Sequence, residues 1–188
     1  MKRKFEIELA KKALEGGGVI LYPTDTIWGL GCDATDENAC QNLIALKKRA
    51  NSKSFIILVD SFHMLEHYIP DFPEVCYELV DSAVKPLTIV YPGAIGLAPS
   101  VLAEDGSVGI RLTSDPICVA LIRSMKKPLV STSANVSGEK NPAEFDEISL
   151  QLKKDVNAVV PERLNERLTQ ASQIIKIGLN NSVEIIRR

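Results

Sequence analysis

Apolar residues recur at helical spacing over 7–14 and stop at Gly16-Gly17-Gly18, which predicts a helix closed by glycine. Val19-Ile20-Leu21-Tyr22 then reads as a short buried strand. A second helix is predicted from about 38 to 48, with Ala39, Leu43 and Leu46 on one face and Asp36 as its cap. Residues 55–59 are apolar on both faces, the pattern of a central strand. Two short helices follow at about 61–68 and 73–82, divided by Pro70-Asp71-Phe72-Pro73. Strands are predicted at 87–91, 107–112 and 129–132, with a loop over 92–96 and a helix that Asp115-Pro116 opens and that runs to about Met125. Asn141-Pro142 opens a further helix to about Lys153, and the tail reads as strands at 156–160, 174–177 and 183–186. Strands and helices interleave without repeat or linker, which predicts one α/β domain, residues 1–188, around a mixed sheet.

Length and charge narrow the function classes. A chain of 188 residues can bury a sizeable core. With 22 basic and 24 acidic residues, net charge −2, it is not built to coat nucleic acid wholesale. Its local exception is Lys47, Lys48, Arg49 and Lys53, a basic cluster suited to a phosphate-bearing small ligand. The four cysteines, Cys32, Cys40, Cys76 and Cys118, form no CxxC pair and read as reduced thiols. Met1-Lys2-Arg3-Lys4 is followed by Phe5-Glu6-Ile7-Glu8, not by a signal-peptide core, and no apolar run nears the ~20 residues that span a bilayer. The expectation is a cytoplasmic protein with no membrane partner.

Two polar strand exits are candidates for chemistry. Ser131-Thr132-Ser133-Ala134-Asn135-Val136-Ser137-Gly138 follows the strand start Pro128-Leu129-Val130 and offers four hydroxyls and an amide. Such groups can line a ligand site, or simply form a Ser-rich loop capping the next helix. The second exit, Tyr22-Pro23-Thr24-Asp25-Thr26-Ile27-Trp28-Gly29-Leu30-Gly31, adds an acid and an aromatic to its hydroxyls. Lys47-Lys48-Arg49 either complements a helix C-terminus or grips a polyphosphate. Arg111 ends an apolar strand, so it reaches solvent or pairs with a carboxylate, its own or a ligand's. His63-Met64-Leu65-Glu66-His67 matches HxxEH, the inverted zinc-protease pattern, but its short helix holds both histidines of the chain. Surface histidines are the expected reading there. The same fact leaves Ser-His-Asp catalysis poorly supported.

Taken together, these residues resemble the YrdC/TsaC family of threonylcarbamoyl-AMP synthases. YPTDTIWGLG at 22–31 is similar to its first signature, Lys47-Lys48-Arg49 to its KxR element, and Ser133-Ala134-Asn135 to its SxN element. The resemblance implies a YrdC-like twisted open mixed sheet with helices on its faces and a large basic cleft. It implies a reaction joining L-threonine, bicarbonate and ATP into threonylcarbamoyl-AMP with release of diphosphate. The product would serve N6-threonylcarbamoyladenosine modification of tRNA, with tRNA and downstream threonylcarbamoyl-transfer proteins as candidate partners. Carried over by resemblance, the catalytic residues are Lys47, Arg49, Ser133 and Asn135. ATP falls to Arg49, Lys53, Ser133 and Arg187, and threonine to Thr24, Thr26, Arg111, Ser131 and Ser172. Mg²⁺ is expected with ATP, and no metal ligand is assigned.

The chemistry agrees with this inventory, because a carbamate attacking the α-phosphate needs placed cations and hydroxyls rather than a protein nucleophile. The chain departs from the family pattern at Trp28 in place of tyrosine, and at Ala50 and Thr113 in place of proline. It also departs at Lys85 and at Gln173. Trp28 is expected to keep an aromatic wall. The departures leave a second reading, a YrdC-like nucleotide- or RNA-binding protein with little or no synthase activity.

Overall fold

The computed structural model describes residues 2–48, 55–178, 180 and 182–188. Helix α1 spans Lys2–Glu15, α2 Glu37–Lys47, α3 Phe62–Tyr68, α4 Val75–Asp81, α5 Pro116–Met125 and α6 Leu150–Asp155. The strands are β1 (Ile20–Tyr22), β2 (Gly29–Gly31), β3 (Ile56–Val59), β4 (Leu87–Tyr91) and β5 (Val108–Leu112). They continue with β6 (Leu129–Ser133), β7 (Ala158–Val159), β8 (Gln173–Ile177) and β9 (Val183–Arg187). Local chemistry sets several ends. Asp36 and Asp115 accept from the first backbone amides of α2 and α5, and Gly17 turns with a φ of 73° behind α1.

Among the described residues the strands form one mixed sheet in the order β7-β1-β2-β6-β3-β5-β4-β8-β9. Pairs β1/β7, β3/β5 and β4/β8 are parallel and the others antiparallel. Strand β3, apolar on both faces, lies at the centre, as its pattern predicts. The tail strands divide, β7 to one edge and β8–β9 to the other.

Side-chain alternation builds a different layer on each face. Ile57, Val59, Val108, Ile110, Ile89 and Tyr91 join a large core with Ala39, Leu43 and Leu152 from α2 and α6. On the other face, Ile20, Tyr22, Leu58 and Leu129 pack under Ala10 and Leu14 of α1 and Ile117, Leu121 and Ile122 of α5. That second layer is confined to the β1–β6–β3 side. Beyond it, the same face carries Ser131, Arg111 and Thr88 among Ile56, Val90 and Ile174, no helix of that layer covers it, and there a cavity opens.

Two expectations need correction. Gly29–Gly31 reads as loop but forms β2, because the glycines let the Tyr22 ring cross the strand. A Cβ on Gly31 would lie 2.4 Å from the Val130 carbonyl oxygen and 2.8 Å from Tyr22 Cε1. The helix expected from Asn141-Pro142 to about Lys153 is broken. Glu147 Oε2 accepts the Ala143 amide at 2.7 Å, a short 3-10 turn covers Phe145–Glu147, and α6 starts only after Ser149. Ser149 Oγ takes the Leu152 amide and so wins as the helix cap.

Candidate functional site

A cavity of about 270 Å³ lies on the open part of the sheet. Its floor is a row of register partners: Ser131 opposite Ile56, Ile56 opposite Gly109, and Gly109 opposite Val90. Thr88, Ile174 and Arg187 extend it across β4, β8 and β9. Of the sequence candidates, Thr26, Arg111, Ser131, Ser133, Ser172 and Arg187 all line this one cavity.

Arg111 arrives from β5, on the same strand face as Gly109, and is 2% exposed. Its Nη2 donates to Asp25 Oδ1 at 2.9 Å and reaches Thr26 Oγ1 at 3.4 Å. Its Nε is buried with no hydrogen-bond partner among the described residues. Of the two alternatives for Arg111 the structure takes the carboxylate and not solvent: one edge of the buried fork is on the chain's own Asp25, and one buried donor is left over. Burial pushes the Asp25 carboxyl above its ordinary range, and the Arg111 guanidinium opposes that shift.

Thr24 lies beneath the lining rather than on it. Its hydroxyl donates to the Ile27 carbonyl at 2.8 Å and accepts the amides of Thr26 and Ile27. The Thr26 hydroxyl, 2.8 Å away, is thereby fixed toward Arg111. Thr24 is a local staple that presents Thr26.

Arg187 reaches the cavity through a β-bulge. Ile175 pairs with Ile185 and Ile174 with Arg187, so Ile186 is an extra residue in β9. In an unbulged strand Ile186 would stand opposite Ile174 and Arg187 would point to the other face. Arg187 Nε donates to the Ser172 carbonyl at 2.8 Å and Nη2 to Ser172 Oγ at 3.2 Å. Ser172 Oγ lies 2.9 Å from Thr88 Oγ1. Burial lowers the Arg187 pKa from its ordinary value, and the positive charge of Arg111 lowers it further. The described lining therefore holds two cations that repel one another across hydroxyls, with no carboxylate on the lining itself. An anion between them would be attracted by both.

The SxN loop is pinned from behind. Lys47 is buried, and its ammonium donates to the Ser133 carbonyl at 2.5 Å and the Asn135 carbonyl at 2.7 Å. Ser133 Oγ donates to Asn135 Oδ1, and Asn135 Nδ2 to the Glu139 carbonyl. Lys47 and Asn135 are thus behind the lining and Ser133 on it. Arg49 and Lys53 lie outside the described residues, as does Ala50.

Some cavity residues escape sequence reasoning. Thr88 carried a faint signal, a hydroxyl at the cavity-facing parity of an apolar strand. Asn141 carried none. Trp28 is not the expected wall, being fully buried in the large core with its ring 5.1 Å from that of Phe145. Its backbone carbonyl instead accepts the Ala134 amide and ties the two polar loops together. His63 and His67 are exposed on α3, and no group of three His, Cys, Asp or Glu side chains among the described residues could hold a metal ion. All four cysteines are buried and unpaired. No described helix is long and apolar enough to cross a membrane.

Comparison with known proteins bears on family and fold. The Sua5/YciO/YrdC family model, described as telomere recombination, matches residues 12–188. The chain is 32% identical over 186 residues to threonylcarbamoyl-AMP synthase of Pseudoalteromonas translucida (strain TAC 125), covering 97% of this chain and 98% of that protein. It is similar to the crystal structure of P. abyssi Sua5 complexed with L-threonine, at TM-score 0.81 and 25% identity. That match covers 92% of this chain and 51% of the Sua5 chain, so this chain spans about half of Sua5. E. coli YciO shares the fold at TM-score 0.81 and 22% identity, over 99% of this chain and 89% of its own.

Proposed function

This chain belongs to the Sua5/YciO/YrdC family, and from that premise we propose that it is a threonylcarbamoyl-AMP synthase. It converts L-threonine, bicarbonate and ATP into threonylcarbamoyl-AMP and diphosphate, for N6-threonylcarbamoyladenosine modification of tRNA. The observation that carries this reading is Arg111: a buried guanidinium with an unpartnered Nε, sharing a hydroxyl-lined cavity with a second arginine. A buried unpaired donor is costly unless a ligand completes it, and an amino-acid carboxylate is a fitting partner.

On this reading threonine places its carboxylate on Arg111, with the hydroxyls of Thr26, Ser131 and Ser172 around it and Thr24 holding Thr26. Its amine joins bicarbonate to give a carbamate, releasing water. A carbamate oxygen then attacks the α-phosphorus of ATP, the bond to the β-phosphate bridging oxygen breaks, and diphosphate leaves. Arg187 and Ser133 hold the nucleotide, together with Arg49 and Lys53. Two anions must meet in this step, so the protein's work is to place them and to offset their charge. Lys47 and Asn135 act through the loop, Lys47 by fixing the carbonyls that set Ser133.

Magnesium is expected on the ATP phosphates, where it offsets their charge. With no carboxylate on the described lining, Mg²⁺ would be held by the substrate phosphates and water and not by this chain's side chains. A cytoplasmic location and hand-over to tRNA-modifying proteins follow from the same role.

The test supplies folded protein with ATP, L-threonine and bicarbonate and measures diphosphate and the labile adenylate. Threonine-dependent diphosphate is expected. Its absence would overturn the reading in favour of a nucleotide- or RNA-binding protein with no synthase activity.

A further inference from the structure

Among the described residues, Lys48, Lys126 and Arg163 are the non-glycine residues with left-handed backbone. Lys48 and Lys126 sit at the C-caps of α2 and α5, where that conformation ends a helix. Arg163, with φ 55°, sits in the irregular segment between β7 and β8, and no helix end accounts for it. A bulky residue in this region is disfavoured, and its guanidinium explains what holds it there. Nη2 lies 2.7 Å from Asp115 Oδ2, while Nη1 donates to the Thr24 carbonyl at 3.2 Å. Asp115 is 3% exposed and also caps α5 through its other oxygen.

We propose that Arg163 is a positioning residue for the threonine end of the cavity, clamping the 24–26 loop to the start of α5. The chain of contacts is continuous. Arg163 fixes the Thr24 backbone, the Thr24 hydroxyl fixes Thr26, and Thr26 together with Asp25 sets the guanidinium of Arg111. The clamp also keeps a positive charge on Asp115, whose negative charge is felt at Asp25. Neither Thr24 nor Arg163 lines the cavity, so Arg163 acts only through the loop. The role in threonine use rests on the synthase reading; the clamp itself does not.

Two variants and two readouts test this. Arg163→Gly suits the left-handed backbone and removes the clamp entirely. Arg163→Lys keeps a charge for Asp115, but a single ammonium lacks the fork that reaches the Thr24 carbonyl as well. In both, the amides of Thr26 and Ile27 are expected to exchange with deuterated solvent about tenfold faster or more, as the Thr24 staple loosens. In diphosphate assays both should raise the KM for L-threonine about tenfold while the KM for ATP stays within about twofold. Unchanged exchange at Thr26 and Ile27 overturns the clamp, whatever the substrate. An equal rise in both KM values, or a loss confined to kcat, overturns its assignment to the threonine end. A wild-type protein without threonine-dependent diphosphate removes the synthase reading and leaves the exchange result to decide the clamp.

Discussion

Replacing Arg111 by methionine removes the cation and keeps much of the apolar volume. Asp25, whose side chain is 20% exposed, then stays in place without its partner 2.9 Å away. Breaking a buried ion pair by removing one member costs about 3–5 kcal/mol, and the partial exposure of Asp25 sets the value near the lower end. About 3 kcal/mol in a domain of this size lowers Tm by roughly 6–12 °C. The pH dependence has a definite sign. Asp25 already titrates above its ordinary value of 3.8, so its ionisation costs the folded state stability as pH rises through the folded pKa. Without Arg111 that pKa rises further, so the deficit of Arg111→Met is smaller at pH 4 than at pH 7. Thermal or urea unfolding at both pH values measures it. Arg111→Met/Asp25→Asn removes both charges and should return to within about 1 kcal/mol of the parent, yet still fail to use threonine. A double variant no more stable than Arg111→Met, or one that turns over threonine normally, refutes the reasoning.

Three further outcomes are expected. Gly31→Ala places a Cβ against the Val130 carbonyl and the Tyr22 ring, and should cost about 3 kcal/mol or more of stability; a Tm within 2 °C of the parent, roughly 0.5–1 kcal/mol, counts against it. Lys47→Ala leaves the Ser133 and Asn135 carbonyls without their buried donor and, by letting Ser133 shift, should cut diphosphate release about 100-fold. Near-normal turnover would show that Ser133 does not need that anchor. Arg187→Ala should raise the KM for ATP about tenfold, and that for threonine by less, because Arg187 also holds the Ser172 hydroxyl at the threonine end; a larger rise for threonine than for ATP would exchange the two ends of the cavity.

Most elements were legible because their causes are local. Asp36 and Asp115 cap helices, Gly16-Gly17-Gly18 ends one, and the two-faced apolar run at β3 marks a centre strand. The same holds for the polar loops, whose residue types point to ligand chemistry and whose motifs resemble one family over nearly the whole chain. β2 was hidden because two glycines in three residues carry no strand pattern. The broken helix after Asn141 was hidden because Ser149 outcompetes an equally plausible earlier cap.

The site's roles divide along the same line. The hydroxyls, Arg111, Arg187 and the Lys47-Lys48-Arg49 cluster are properties of the chain read in order. That Thr24 and Lys47 work from behind the lining, that Trp28 is core, and that Asp25 takes half of Arg111 are products of packing. So is the reach of Arg187, which depends on one extra residue in β9, and the clamp of Arg163, whose partners are 139 residues away at Thr24 and 48 away at Asp115. Side-chain direction depends on strand register and on which groups the long-range fold leaves without water, and neither is written in local spacing.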